Sequence, residues 1–239
     1  MNENAALEIN NLSKKIVSPE GAVKNGFEKI TADFPYGIIV SIFSKDKFSA
    51  EVLLKTISGI ISPDSGSVQT KGEVIYIPAK ASSFPWLTVK ENILFAAEEK
   101  TEKEINEIIE AVELEGYEDH HCDNDSLGFR ARIALGRALI RKPAVIAVDN
   151  IFSEMNERTK YEILELLVKI NKDLNQTFIV ANGDILDSVF IADRFYEMNA
   201  KGCLSDVMEI SFSAERNNSL RFSEEFAEIV KKVILLNKL

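Results

Sequence analysis

Late in the chain runs the segment Pro143-Ala144-Val145-Ile146-Ala147-Val148-Asp149, an unbroken apolar stretch that ends on a carboxylate. Its length and its β-branched residues are typical of a strand that is buried on both faces. Similar runs are separated by longer helical patterns and cover residues 38–43, 74–77, 178–180 and, less clearly, 194–198. This alternation predicts an α/β domain with a largely parallel sheet.

The middle third of the chain carries helix signals instead. Two capping boxes, in which a hydroxyl stands three residues before a carboxylate, occur at Thr88-Val89-Lys90-Glu91 and Thr101-Glu102-Lys103-Glu104. After the second box, apolar residues recur on one helix face at Ile105, Ile108, Ile109 and Val112. Further helices are predicted over residues 49–61, 158–171 and 222–235.

The length of 239 residues suits one large domain. We predict a single domain over residues 1–239, in which residues 86–140 form a helical sub-domain. Residues 1–85 and 141–239 then form the sheet-containing core on either side of that insertion.

Composition and charge exclude several classes of protein. The chain has 28 lysines and arginines against 38 aspartates and glutamates, a formal net charge of −10, which argues against nucleic-acid binding. No run approaches the roughly 18 apolar residues of a membrane-spanning helix, and the first residues do not resemble a signal peptide. The two cysteines have no metal-binding spacing. We expect a cytoplasmic protein with no direct membrane insertion and no metal site.

Several segments, taken in order, resemble the nucleotide-binding (ATPase) subunit of ABC transporters, in particular the nitrate/sulfonate/taurine importer branch. They are residues 7–14, 52–59, 63–68, 84–93, 128–139, 143–149, 191–194 and 225–227. The resemblance implies a P-loop NTPase-like ABC ATPase fold with a mixed, largely parallel sheet core and a helical sub-domain. It also implies a place at the inner face of the cell membrane, beside a permease.

The resemblance aligns residues 44–52 with the P-loop, and there the residue types that hold phosphate and Mg²⁺ are missing. Their places are taken by Ser44, Lys47 and Ser49 for three glycines, Ala50 for the lysine, and Glu51 and Val52 for the Ser/Thr pair. Losing one cation at about 4 Å from a phosphate costs roughly 4 kcal/mol at an effective dielectric near 20. Lys45 and Lys47 offer partial compensation, although they also fit a solvated turn. Weak phosphate binding is predicted.

Three other aligned positions also lack the residue types that the family uses in ATP hydrolysis. Ala79 stands where the family has a glutamine that senses Mg²⁺ and the attacking water. Asp149 is kept as the Walker B carboxylate, but Asn150 replaces the glutamate that would polarise water, and an amide lacks the basicity for that task. Gly183 replaces the switch histidine.

The family signature aligns with Asp125, Ser126, Leu127, Gly128 and Phe129. Ser126 and Gly128 agree with it, whereas Leu127 removes a glycine and Asp125 adds negative charge where a γ-phosphate would lie. The run Phe84, Pro85, Trp86 and Leu87 aligns with the region that grips the permease, which makes these residues docking candidates. Structural packing explains them equally well, because tryptophan is enriched in both settings.

The resemblance and the losses together predict an ABC ATP-binding-subunit homologue that no longer binds or hydrolyses ATP. It would act as a structural or regulatory partner of a membrane permease or of an active ABC ATPase paralogue. No cofactor is expected, and a weak affinity for ATP and Mg²⁺ stays open. The alternatives are a divergent working subunit that energises import of a small solute, and a soluble protein that reuses the fold for another ligand.

Overall fold

The computed structural model describes residues 4–17, 23–80, 82–97, 99–122 and 126–237. Its larger sheet is built from β3 (Ile39–Phe43), β5 (Val74–Ile77), β6 (Val145–Asp149), β7 (Phe178–Asn182), β8 (Arg194–Glu197) and β9 (Met208–Glu209). The strand order is β5-β6-β7-β3-β8-β9, and all neighbours are parallel except the last pair. The predicted, largely parallel sheet is confirmed.

A second, antiparallel sheet contains β1 (Ala5–Val17), β2 (Val23–Pro35) and β4 (Ser65–Thr70), in the order β2-β1-β4. The first strand contains residues 7–14, which resemble the opening strand of the family, whereas the other two were not predicted as strands. The other two are rich in polar residues, and the exposed face of β4 leaves no continuous apolar run. A search for strands buried on both faces therefore passes over them.

The helices are α1 (Lys47–Ile57), α2 (Val89–Leu94), α3 (Glu102–Ala111), α4 (Leu127–Leu139), α5 (Glu157–Leu174), α6 (Ile185–Ile191) and α7 (Glu224–Asn237), with a 3₁₀ helix at Asn218–Phe222. Both capping boxes are present, at Thr88 and Thr101. Helices α2 to α4 occupy the chain between β5 and β6. Their separation as a sub-domain stays a prediction. No helix in the described ranges is long and apolar enough to cross a bilayer.

Helix α1 differs from its predicted bounds of 49–61. It begins earlier because Asp46 caps it, accepting a hydrogen bond from Phe48 N at 3.2 Å. It ends earlier because Gly59 adopts the left-handed conformation, with φ of +73°, and Ile60 N turns back to Lys55 O at 2.9 Å. Capping chemistry, and not the apolar pattern, sets both ends.

The hydrophobic core lies on both faces of the larger sheet. Alternate residues of one strand enter opposite layers, so that Ile39 and Phe43 join the cluster of α2 to α7, whereas Val40 and Ile42 join the cluster of α1 and the small sheet. Each central strand is buried along its whole length. This explains why the sequences of these strands are almost continuously apolar. Polar side chains that could act on a ligand are therefore expected at the strand ends.

Candidate functional site

The carboxyl ends of β3, β6 and β7 meet at one edge of the larger sheet. Phe43 lies opposite Asn182, and Asp149 lies opposite Ala181. The chain after each strand is tied to its neighbour there, since Asn150 N donates to Ala181 O at 2.9 Å. Parallel α/β sheets place ligands at this edge. The structure thus brings together the sequence candidates that follow these three strands.

The turn from β3 to α1 consists of only Ser44, Lys45 and Asp46. Ser44 Oγ donates to Asp46 O at 2.8 Å, and Ser44 N donates to Asn182 O at 3.0 Å. The Asp46 carboxylate accepts from Ser49 Oγ at 3.1 Å as well as from Phe48 N. A P-loop inserts a longer glycine-rich stretch between strand and helix. Here the chain's own carboxylate lies at the N-terminus of the helix, the place that favours a bound anion.

The residues aligned with the end of the P-loop form the first turns of α1 and pack inward. Ser49, Ala50 and Val52 are 1%, 2% and 4% exposed. The side chain of Val52 faces β2 so closely that a β-carbon at Gly26 would lie 2.8 Å from Val52 Cγ1. Ala50 and Val52 therefore belong to the hydrophobic core, while Lys45 and Lys47 are exposed.

Asp149 is 5% exposed and accepts a hydrogen bond from the Tyr76 hydroxyl at 2.7 Å. Lys55 Nζ lies 5.8 Å from the centre of the Tyr76 ring and forms an ion pair with Glu51 Oε1 at 2.5 Å. Burial raises the pKa of Asp149 above its usual value, and Glu51 acts in the same direction, whereas the Tyr76 hydrogen bond opposes the change. The carboxylate of Asp149 is thus buried beside Tyr76, Glu51 and Lys55.

Asn150 and Ala79 lie on the two loops beside Asp149. Asn150 is 7% exposed and adopts a φ of 43°, a left-handed conformation that asparagine tolerates better than most residues. Ala79 is exposed on the loop after β5. The next residue, Lys80, lies 3.9 Å from Glu154 on the loop after β6, which links the two loops across the sheet edge.

Gly183 lies against the turn from β3 to α1. A β-carbon at Gly183 would be 3.7 Å from Lys47 Cε and 3.8 Å from Ser44 O, both ordinary contacts. The missing side chain therefore leaves room next to Lys47. Asp184, the next residue, caps α6 by accepting from Asp187 N at 3.0 Å.

The signature-aligned residues that the structure describes have structural roles at the start of α4. Ser126 is the N-cap, and Leu127 is the first helical residue. Gly128 allows close packing on α5, because a β-carbon there would lie 2.6 Å from Thr159 Cγ2. The ring of Phe129 lies 5.8 Å from that of Tyr117, edge to face. Asp125 lies outside the described residues.

The docking candidates form a loop that Asn92 organises. Asn92 is fully buried and accepts a hydrogen bond from Phe84 N at 2.8 Å, while its amide nitrogen donates to Phe84 O, Leu87 O and Thr88 O at 3.0, 3.1 and 2.9 Å. Held in this way, Trp86 is 69% exposed, and its ring lies 5.6 Å from that of Phe84. Pro85 is exposed beside it, and Leu87 is half-buried.

A groove of about 360 Å³ continues from this loop along strand β5. Its lining includes Ile60, Ile75, Ala134, Ala138 and Arg137. The Arg137 guanidinium lies 5.4 Å from the centre of the Phe84 ring, which connects the groove to the docking candidates.

Sequence reasoning missed four residues that shape these sites: Asp46, Lys55, Tyr76 and Asn92. Asp46 had a signal, since aspartate is a preferred N-cap. Lys55 also had one, because it stands four residues after Glu51 on a helix. Tyr76 and Asn92 had none, since their partners lie on other elements or in a loop.

Comparison with known proteins agrees with this architecture. A family model described as "ABC transporter" matches residues 52–153. The aliphatic sulfonates import ATP-binding protein SsuB of Bacillus cereus is 30% identical over 240 residues, covering 95% of this chain and 94% of its own length. The taurine import ATP-binding protein TauB of a Jannaschia species is 22% identical, with 95% and 92% covered.

Among solved structures, cbiO1 from Clostridium perfringens, part of the ABC transporter complex cbiONQ, matches with a TM-score of 0.75. The match covers 98% of this chain and 96% of that chain at 20% identity, which establishes a common fold. Together with an end-to-end relative at 30% identity, these likenesses lead to one conclusion. This chain belongs to the family of ABC transporter ATP-binding proteins.

Proposed function

We propose that this chain is an ATP-binding-subunit homologue of a sulfonate- or taurine-type importer that has lost ATP binding and hydrolysis. It serves as a structural or regulatory partner of the membrane permease or of an active ATPase paralogue. The observation that carries the proposal is the carboxylate of Asp46 at the N-terminus of α1, hydrogen-bonded to Phe48 N and Ser49 Oγ.

The turn before α1 does not fit a triphosphate. A carboxylate at the anion position repels phosphate, and the positions of the glycines and the lysine carry side chains that are exposed or packed in the core. The family model begins its match at residue 52, within α1, and so leaves this turn outside the matched residues.

The surroundings of Asp149 do not favour a metal ion either. One carboxylate oxygen is engaged by Tyr76, and Glu51 is engaged by Lys55. Hard divalent cations require several free oxygen ligands. In the described part of the chain, no group of three or more His, Cys, Asp or Glu side chains is placed to hold one.

The importer class follows from the relatives. SsuB and TauB are ATP-binding proteins for import of aliphatic sulfonates and of taurine. The exposed Trp86 and the groove, which is lined by apolar residues together with Arg137 and Arg141, supply a docking surface of the kind that protein partners cover. We therefore place the permease subunit on the face formed by residues 84–87 and the groove.

Calorimetry with Mg-ATP on the full chain tests the loss of ATP binding. We expect no binding tighter than about 100 μM, which corresponds to roughly −5.5 kcal/mol. Tighter binding, together with ATPase activity that Asp149→Asn abolishes, would establish the divergent working subunit instead. Asn106→Ala serves as the control, since Asn106 is exposed on α3 and not on the turn, and its loss leaves the packing intact.

Co-purification with the permease subunits of a sulfonate importer tests docking. Trp86→Ala is expected to abolish co-purification, whereas Tyr117→Ala, which removes another exposed aromatic ring, is expected to retain it. Equal retention by both variants would reject the assigned docking face.

A further inference from the structure

Helix α6 is held near both ends by two arginines from one short segment, residues 216–221. In its first turn, Asp187 Oδ1 accepts from Arg221 Nη1 at 3.0 Å. Beyond its last turn, Arg216 Nη2 donates to Ala192 O at 2.8 Å, and Arg216 Nη1 donates to Ile191 O at 3.3 Å. Cationic side chains at a C-terminus and an acidic one in the first turn also complement the helix dipole.

The Arg221 contact is buried. Asp187 and the side chain of Arg221 are 2% and 8% exposed, and Lys160 Nζ lies 3.1 Å from Asp187 Oδ2. The guanidinium carbon lies 4.1 Å from the centre of the Tyr161 ring and 4.2 Å from that of Phe190. Within the described ranges, Arg221 Nε and Nη2 have no hydrogen-bond acceptor, so the two rings supply the remaining favourable contacts.

The Arg216 contact extends to the sheet. Arg216 Nη2 lies 2.7 Å from Asp193 Oδ1, and Asp193 Oδ2 accepts from Ile39 N at 2.7 Å, at the first residue of β3. The segment therefore fixes α6 relative to the strand that leads into the candidate site.

We propose that residues 216–221 act as a clamp that sets the position of α6 and, through it, of the loop Asn182-Gly183-Asp184. The connection is direct, because Asp184 caps α6 and Asn182 O accepts a hydrogen bond from Ser44 N at 3.0 Å. Lys160 still faces Asp187 when Arg221 is removed, but Arg221 is the cation that ties Asp187 to residues 216–221, so its loss releases the N-terminal half of α6 from that segment. The C-terminal segment is thereby coupled to the strand-end site.

Hydrogen–deuterium exchange on the full chain tests the clamp. Arg221→Ala is expected to accelerate amide exchange over residues 183–191 at least tenfold, while exchange in β1 and β4 stays unchanged. Phe222→Ser is the matched control, because this neighbouring side chain is 85% exposed and follows the last residue of the clamp. It should leave the exchange of residues 183–191 as in the parent chain.

Two results would overturn the proposal. One is unchanged exchange over residues 183–191, and the other is a uniform acceleration in all elements, which would mean that Arg221 only supports global stability. If Arg221→Ala does not fold, the clamp is tested with Arg216→Lys instead. Lysine cannot reach two carbonyls and Asp193 at once, so faster exchange confined to residues 183–193 supports the clamp. Unchanged exchange in that variant rejects it.

Discussion

Tyr76 on β5 and Asp149 on β6 are joined by a hydrogen bond of 2.7 Å between the phenol oxygen and Asp149 Oδ2. The bond bridges two adjacent parallel strands near their carboxyl ends. Burial and this bond raise the pKa of Tyr76, so the phenol stays protonated and keeps donating at physiological pH. Asp149 is thus part of an internal polar contact.

Tyr76→Phe tests the strength of this contact. The variant leaves a carboxylate that is 5% exposed without its donor, and the free energy of unfolding should fall by about 1–3 kcal/mol. Urea denaturation measures the change. Tyr117→Phe, at a ring that is 49% exposed, should change stability by less than about 0.5 kcal/mol. If both variants change the free energy of unfolding equally, the hydroxyl group of Tyr76 contributes little to stability.

Asp149→Asn should make the chain more stable at pH 7. The pKa of Asp149 is raised above 3.8 in the folded protein, so the folded state holds this proton more tightly than the unfolded state. The carboxyl therefore reduces stability as the pH rises from about 4. Unfolding curves at pH 7 and pH 4 should show a gain for the variant that shrinks on acidification. A loss at pH 7 would contradict this prediction.

Restoring the P-loop lysine by Ala50→Lys should destabilise the chain without creating ATP affinity. Ala50 is 2% exposed in the hydrophobic cluster of α1, and burying an ammonium there should cost about 3 kcal/mol. Thermal unfolding and calorimetry with Mg-ATP measure the two effects. A variant that keeps the parental stability and binds ATP would show that the first turn of α1 can reopen.

Asn92→Ala should release the loop of residues 84–87. The change leaves Phe84 N without its acceptor and removes the side-chain donor of three carbonyl groups that keep backbone donors, so we expect a loss of about 2 kcal/mol. Trp86 is the single tryptophan of the chain, so its fluorescence anisotropy should fall as the ring becomes freer. Asn106→Ala, at an exposed position of α3, should leave both quantities unchanged.

The central strands and the capped helices were accessible from the sequence because their signals are local. A run such as residues 144–148 is apolar throughout because both faces of the strand are covered, and a capping box needs only residues three positions apart. Strand β2 carried no such signal, since it is an edge strand that pairs with β1, and its Glu28 N donates to Gly202 O far along the chain. Its role depends on pairing with residues distant in the chain.

The amino-acid sequence alone shows that residues 44–52 lack the glycines, the lysine and the Ser/Thr pair of the family pattern, because residue identity needs no coordinates. Only the tertiary structure decided what replaced them. It puts the Asp46 carboxylate at the start of α1, Ala50 and Val52 in the core, and Tyr76 against Asp149. The physical reason is that a cap, a buried face and a cross-strand hydrogen bond depend on where separate elements pack, and their packing is set by the whole sheet.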